Sequence, residues 1–270
     1  MLEDLRSSFL EFLKRNRLGN APQSSFDRFN RAFLDGDEIT LTNMAEEYRG
    51  FGDYRLFLKA TIGSRYFPTH DQMRQMSDAQ FCALFERSFA IQGAVCIPEC
   101  EADLLAYLLQ WSKLEAGAVV DVGGGVCHNL SFLKTKGKIP GLCIGIDSST
   151  PIIKIGTEVA YAEGADVRFV KGNCIDLPLP AESVAQIWMV DVLNWVMSWK
   201  KALQEASRIL IPNGRIILAI SCTGANARSD IDTSRAVHYL EELGFQVIDV
   251  TMGAQDCIAA EKVAVERRRK

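Results

Sequence analysis

A glycine turn between two apolar stretches has the clearest chemical potential in this sequence. Residues 119–130 read VVDVGGGVCHNL, so a β-branched run ends in Asp121 and three glycines follow at 123–125. Glycine permits positive φ and a close approach of the main chain to a ligand. The helix that follows presents unpaired N–H groups in its first turn. A strand, a glycine turn and a helix in this order predict a site for a nucleotide-like ligand.

The spacing of residues around the turn reduces the number of ligand classes that fit it. A dinucleotide fingerprint beginning at Gly123 requires glycine where His128 stands, and no Gly-Lys-Ser/Thr of a phosphate-binding P-loop follows the turn. Asp147 ends the next apolar run, CIGID. It lies about 20 residues past the turn, where an acid accepts hydrogen bonds from ribose hydroxyls. The residues favour a ligand that contains a nucleoside and leave its identity open at this point.

Two further segments follow the glycine turn and Asp147 in order. Residues 170–196 read VKGNCIDLPLPAESVAQIWMVDVLNWV, and residues 202–218 read ALQEASRILIPNGRIIL. With these motifs, residues 116–253 resemble the class I S-adenosylmethionine-dependent methyltransferases, and among them the group that acts on small molecules. Gly172-Asn173-Cys174 stands where that group has Gly-Asp-Ala, and Pro212-Asn213-Gly214 stands at its proline-glycine turn before the fifth strand.

The resemblance implies S-adenosyl-L-methionine as the cofactor. It implies that Asp121, Gly123, Gly124 and Gly125 hold the methionine portion of the cofactor. Asp147 would bind the ribose, Ser148 would flank the adenosine, and Asn173 and Cys174 would lie at the edge of the adenine. Val190 would lie near the sulfonium. Three positions depart from the family pattern. The family pattern after the first strand is Glu/Asp-x-Gly-x-Gly-x-Gly, and Cys127 stands at its last glycine, where it would crowd the cofactor's amino-acid end. Asn173 replaces an aspartate of the family, and Trp195 replaces a histidine.

Methyl transfer requires alignment of a nucleophile with the sulfonium methyl group and exclusion of water. A general base is needed only where the nucleophile must lose a proton. The resemblance places Asp191 near the sulfonium as the candidate base, and His70, in the irregular stretch YFPTHD, is a second candidate. Tyr48 and Trp195 are candidate substrate contacts, with core packing as the competing interpretation.

Strands and helices alternate after residue 115, which predicts an α/β fold with a doubly wound, mostly parallel sheet of seven strands. The expected strands are Ala118–Val122, Leu142–Asp147, Val167–Lys171, Gln186–Val190, Arg215–Ser221, Phe245–Thr251 and Ile258–Val263. The last two are joined by Met252–Cys257, which is too short for a parallel crossover. One antiparallel strand is therefore expected at the far end of the sheet, near the C-terminus.

Helical periodicity dominates before residue 115. We therefore divide the chain into a helical lid or substrate-binding extension, residues 1–114, and an S-adenosylmethionine-binding Rossmann-like domain, residues 115–270. A helix with Ser77 or Asp78 as its N-cap is expected to carry Phe81 and Leu84 on one face. We expect the extension to fold over the carboxyl ends of the strands, where ligands of such sheets bind.

Composition limits the partners. The net charge is −4, which does not suggest a nucleic-acid or membrane partner. No apolar run approaches the ~18 residues that span a bilayer. The eight cysteines are scattered singly and form no zinc-ligand pattern, which predicts reduced thiols, a cytoplasmic protein and no metal site. The sequence leaves a homodimer open.

The sequence therefore predicts methyl transfer from S-adenosylmethionine to an O, N or C atom of a small metabolite under a helical lid. Two alternatives remain. One is an enzyme that binds S-adenosylmethionine but does not methylate, such as a cyclase, because the fold alone does not fix the chemistry. The other is a protein or RNA methyltransferase.

Overall fold

A computed structural model describes Ser8 and residues 70–88, 101–220, 228–253 and 255–264. Tyr48 and, apart from Ser8, residues 1–69 of the expected helical extension lie outside these residues. Helices and strands alternate from residue 101 onward. In chain order the elements are α1 His70–Gln75, α2 Asp78–Ser88, α3 Glu101–Trp111, β1 Val119–Val122, α4 His128–Thr135, β2 Cys143–Asp147, α5 Thr150–Ala162, β3 Val167–Lys171, β4 Val184–Val190, a 3-10 turn Leu193–Trp195, α6 Trp199–Ile209, β5 Leu210–Ile220, α7 Thr233–Glu242, β6 Phe245–Thr251 and β7 Asp256–Lys262.

The seven strands form one sheet in the order β3-β2-β1-β4-β5-β7-β6. The strands from β3 to β5 are parallel, whereas β7 is antiparallel to both β5 and β6. The predicted doubly wound sheet with one antiparallel strand is confirmed. That strand lies one place in from the edge, because β7 inserts between β5 and β6, and β6 forms the edge.

Alternating side chains of the central strands face two helical layers. Val119, Trp188 and Ile217 pack with the apolar side chains of α3 and α4. Their chain neighbours Val120, Ile187 and Ile216 pack on the opposite face with α6 and α7. Since successive side chains of a strand point to opposite faces, each strand is buried on both sides. The core therefore holds the carboxyl ends of β1, β2 and β4 in fixed positions at one edge of the sheet.

Local sequence signals mark where α2 begins and where α7 ends. Ser77 and Gln80 exchange side-chain hydrogen bonds with each other's main-chain N–H, at 3.2 and 2.8 Å, which makes Ser77 the N-cap of α2. Gly244, at φ 84°, follows the end of α7 in the left-handed conformation. None of the described helices is long and apolar enough to cross a membrane.

Candidate active site

A cavity lies beyond the carboxyl ends of the parallel strands, where ligands of doubly wound sheets bind. Its empty volume is about 680 Å³, including space open to solvent. The loops after β1, β2, β3 and β4 form its floor and walls. The wall residues are Val122 and Gly123, Asp147 and Ser148, Gly172 to Cys174, and Asp191, Val192, Trp195 and Val196.

The glycine turn lies against the end of β2. Gly123 has φ 68°, and its N–H donates to the carbonyl oxygen of Ile146 at 2.6 Å. A Cβ added to Gly124 would lie 2.3 Å from the Asp121 carboxyl group. The turn therefore requires glycine at 124 because the Asp121 side chain packs directly against it.

Cys127 adopts the conformation that glycine prefers. Its φ is 52° and it is the N-cap residue of α4. Its sulfur points toward β2, because a Cβ added to Gly145 would lie 2.6 Å from Sγ. Gly145 therefore makes room for the side chain that Cys127 adds, and Cys127 is absent from the cavity wall.

Asp121 is buried beneath the glycine turn. The pKa of its carboxyl group is raised to about 7: burial has the largest effect, a hydrogen bond with the Cys127 thiol opposes it, and the nearby Asp147 carboxylate adds to it. Its Oδ1 atom has no hydrogen-bond partner among the described residues. Asp121 is one residue away from Val122 on the cavity wall, and it supports the turn from below rather than lining the cavity.

The loops after β2 and β3 fix two of the predicted cofactor contacts. Asp147 Oδ1 accepts a hydrogen bond from the Ser149 N–H at 2.9 Å, which holds its carboxylate at the cavity wall. Asn173 Oδ1 accepts from the Ile175 N–H at 3.1 Å and so closes the turn after β3. The Asn173 oxygen thus serves the turn, while the residue itself lines the cavity.

Asp191 follows β4 directly and lines the cavity in a conformation that is unusual for a non-glycine residue. Its φ is 58°, and such conformations cluster at functional sites. Its Oδ1 accepts a hydrogen bond from Asn194 Nδ2 at 2.9 Å, which orients the carboxylate. Trp195 lies on the same wall. The loop after β4 therefore brings a carboxylate and an indole ring to one side of the cavity.

Residues 70–88, the roof segment, cover the cavity through three side chains of α2: Asp78, Phe81 and Cys82. The Phe81 and Trp195 rings are stacked with their centroids 6.2 Å apart. The Cys82 thiol shares a hydrogen bond with the Ser148 side chain and lies 4.0 Å from Asn173 Nδ2. The roof segment thus contacts both the predicted adenosine side and the Trp195 side of the cavity.

The structure brings together most of the residues predicted from sequence. Of the expected cofactor and substrate contacts, Gly123, Asp147, Ser148, Asn173, Cys174, Asp191 and Trp195 line the cavity. Val190 packs against the α3–α4 side of the core, and Gly124 and Gly125 are absent from the cavity wall. His70 is the first residue of α1, and its side chain lies outside the described structure.

Sequence reasoning missed Arg228, Phe81 and Cys82 as cavity residues. Phe81 was expected on an apolar helix face, and that periodicity gives no sign of which surface the face covers. Arg228 belongs to no motif and follows β5 by eight residues. Only the chain path, which returns past the end of β4, could have revealed it.

Buried polar atoms show whether this edge fits the cofactor. The side-chain oxygens that lack partners among the described residues include Asp121 Oδ1 in β1, Ser149 Oγ after β2 and Asn194 Oδ1 after β4. Buried polar groups are normally hydrogen-bonded, so these three oxygens next to wall residues of the cavity favour a polar ligand there. With the Asp147 carboxylate and the main chain of Gly123, both on the cavity wall, they fit a ligand with a charged amino-acid end and a ribose. The described residues contain no cluster of His, Cys, Asp and Glu suited to a metal ion.

Part of the chain is similar to known methyltransferases. Residues 120–218 match the family model described as "Methyltransferase domain". Demethylmenaquinone methyltransferase of Thermus thermophilus is 30% identical over 87 residues, which are 32% of this chain and 40% of that protein. Malonyl-[acyl-carrier protein] O-methyltransferase 1 of Coxiella burnetii is 26% identical over 140 residues, 52% of this chain and 45% of that protein. The chain spans less than half the length of the curated relatives it matches.

Solved structures share the fold. A methyltransferase of Aquifex aeolicus, described as SAM-dependent, has a TM-score of 0.50 and 20% identity, covering 60% of this chain and 89% of that one. The [4+2]-cyclase SpnF has a TM-score of 0.53 and 17% identity, covering 61% and 82%. Residues 120–218 therefore form a methyltransferase domain of the class I S-adenosylmethionine-dependent type. S-adenosylmethionine is the cofactor of that class.

Proposed function

We propose that this protein transfers the methyl group of S-adenosylmethionine to an O, N or C atom of a small molecule bound between the sheet edge and the roof segment. One observation carries the proposal. Asp191, held by Asn194, lies in the same cavity as Gly123 and Asp147, the residues expected to hold the cofactor. One cavity thus offers both a cofactor wall and a proton acceptor.

The cofactor, when bound, supplies an electrophilic methyl group. The Asp147 carboxylate would accept hydrogen bonds from the ribose hydroxyls, and the turn at Asn173 and Cys174 would flank the adenine. Asp191 would accept the proton that the acceptor loses, and Asn194 would keep its carboxylate oriented. The stacked pair Phe81 and Trp195 would exclude water from the reacting side.

Several features support a small-molecule acceptor. The roof segment closes the cavity from above, which suits an acceptor that is enclosed. The net charge of −4 disfavours a nucleic acid. Two relatives are named for their own acceptors, demethylmenaquinone and a malonyl group on an acyl-carrier protein. Free thiols at the five described cysteines fit a cytoplasmic location.

Calorimetric titration with S-adenosylhomocysteine tests the cofactor site. We expect the wild-type protein to bind and the Asp147→Asn variant to bind at least 10-fold more weakly, since a neutral amide replaces the ribose-binding carboxylate. Asp166→Asn, before β3 at the opposite edge, is the control and should bind normally. Absence of wild-type binding at millimolar ligand would refute the proposal.

Mass spectrometry with candidate acceptors tests the chemistry. Methyl transfer produces one S-adenosylhomocysteine for each methylated acceptor, whereas a cyclase that only holds the cofactor produces none. We expect Asp191→Asn to lower the turnover rate by about 100-fold or more if the acceptor must lose a proton, with cofactor affinity retained. Conversion of an acceptor without S-adenosylhomocysteine would favour the cyclase alternative.

A further inference from the structure

The Arg228 side chain lies between the roof segment and the wall of the cavity, almost completely buried. Its Nε donates to the carbonyl oxygen of Met73 at 2.8 Å, and one Nη donates to that of Met76. The other Nη donates to Asp78 Oδ1 and, at 2.8 Å, to the carbonyl oxygen of Trp195. One guanidinium therefore binds three residues of the roof segment and one residue of the wall.

Asp78 extends the connection to the loop after β4. Its two carboxylate oxygens accept hydrogen bonds from the N–H groups of Met197 and Ser198, both at 3.0 Å. Burial raises the pKa of Asp78, but the hydrogen bonds from Arg228, Met197 and Ser198 bring it below its ordinary value. The carboxylate is therefore charged near neutral pH and can hold the roof segment throughout the physiological range.

The main chain at Arg228 is anchored to the same loop. The N–H groups of Arg228 and Ser229 both donate to the carbonyl oxygen of Asn194, at 2.8 and 3.0 Å. Ser229 Oγ donates to the carbonyl oxygen of Leu193 at 2.7 Å. Asn194 in turn orients Asp191. Arg228 thus connects the roof segment to the loop that carries the candidate base.

The guanidinium also fixes the aromatic part of the roof. Its central carbon lies 4.5 Å from the centroid of the Phe81 ring, and Phe81 stacks on Trp195. Met73 and Phe81 are the apolar side chains of the roof segment that are described as buried. These two buried apolar side chains and the charged pair together attach the roof segment.

We propose that Arg228 and Asp78 form a latch that holds the roof segment closed, and that this latch must open for the cofactor and its product to exchange. The proposal rests on the proposed function, because it concerns exchange at that same site. Arg228 is a positioning residue here. It acts through Asp78, Phe81 and the main chain of the roof segment. An ion pair at a cavity wall suits this role, since both charges regain water when the roof segment lifts.

The latch is tested by the rate at which S-adenosylhomocysteine dissociates, measured by stopped-flow displacement. We expect Arg228→Lys and Asp78→Asn each to raise the dissociation rate constant at least 10-fold, because each variant loses hydrogen bonds between roof and wall. The matched control is Arg215→Lys. Arg215 binds Glu261 and a carbonyl oxygen at the opposite edge of the sheet, so its variant should dissociate at the wild-type rate.

Hydrogen exchange of the ligand-free protein gives an independent readout. Residues 70–88 should exchange at least 10-fold faster in both latch variants, while β1 and β4 keep their wild-type protection and thermal unfolding stays cooperative. Unchanged exchange of residues 70–88 would overturn the latch, as would equal acceleration of dissociation in Arg215→Lys. A wild-type protein that binds no S-adenosylhomocysteine would refute the proposed function, and the exchange result would still decide the latch.

Discussion

The parallel strands begin at one side of the sheet, the amino edge, and end at the other, the carboxyl edge. Both edges contain an arginine paired with a carboxylate, but the two pairs serve different purposes. At the amino edge, Glu261 Oε2 lies 3.0 Å from Arg215 Nε and 2.9 Å from Lys113 Nζ. Arg215 also donates to the carbonyl oxygen of Trp111, and Gln186 accepts from the Lys113 N–H. These groups bond to the rigid elements of the fold itself, so the amino edge serves stability.

At the carboxyl edge, the pair of Arg228 and Asp78 joins the fold to a segment that covers a cavity. Asp121 lies nearby as a buried carboxyl group with an unpartnered oxygen among the described residues, and Asp191 is held at positive φ. Such features lower the stability of the fold and are typical of functional sites, where ligand binding can compensate the lost free energy. The polar groups of the amino edge are paired within the fold, whereas those of the carboxyl edge include an oxygen without a partner among the described residues and a strained residue beside the cavity.

The largest effect that tests this difference between the two edges is expected in how the free energy of unfolding depends on pH. The folded-state pKa of Asp121 is about 7, above the ordinary value of about 3.9. Between these values the folded state retains a proton that the unfolded state releases, so stability is greatest at the acid end and falls as pH rises to 7. From pH 5 to pH 8 the loss is about 3 kcal/mol. Asp121→Asn should abolish it, as measured by urea unfolding at both pH values.

Glu261→Gln supplies the amino-edge control for that experiment. Burial raises the pKa of Glu261, but its bonds to Lys113 and Arg215 bring it below the ordinary value. Its stabilising effect is therefore present above the ordinary pKa and is lost only as pH falls through the lower, folded-state value. Glu261→Gln should lower stability by the same amount at pH 5 and pH 8. A wild-type protein with equal stability at both pH values would contradict the assignment of Asp121.

A smaller effect is expected from crowding the glycine turn. In Gly124→Ala the added methyl group would overlap the Asp121 carboxyl group at 2.3 Å, so the turn must shift. We expect a loss of about 2 kcal/mol in the free energy of unfolding together with weaker binding of S-adenosylhomocysteine. The control is Gly253→Ala, whose nearest neighbour would lie 3.7 Å away. Equal stability of the two variants would show that the turn is not packed against Asp121.

The fold was predictable because its signals are local. Val167–Lys171 and Phe245–Thr251 were predicted with the observed bounds, since β-branched runs and flanking turns mark them. The order of β6 and β7 was not predictable in detail, because a short connection fixes antiparallel pairing but not which strand lies at the edge. Asp147 and Asp191 were predicted at the cavity because Asp147 ends β2 and Asp191 directly follows β4.

Contacts between segments far apart in the chain could not be predicted from the sequence. Arg228 meets Asp78 across 150 positions of the chain, and no local pattern reports such a distance. The turn role of the Asn173 oxygen also depends on how the chain folds back after β3. The same holds for Cys127, whose expected crowding of the cofactor gave way to packing against Gly145, a residue 18 positions away in the next strand.

The smallest effect concerns Cys127 itself. A non-glycine residue in the left-handed conformation costs roughly 1–2 kcal/mol, and here the sulfur is also buried against Gly145. Cys127→Ala keeps the strain and loses the sulfur, whereas Cys127→Gly loses both. We therefore expect the Cys127→Gly variant to be more stable than Cys127→Ala by about 1 kcal/mol in urea unfolding.

Cys143, which is buried in β2 without positive φ, is the matched control for Cys127. There the order should reverse, with Cys143→Ala more stable than Cys143→Gly by roughly 0.5–1 kcal/mol. The same order at both positions would mean that the conformation at Cys127 carries no cost, and the carboxyl edge would then owe its strain to Asp191 instead.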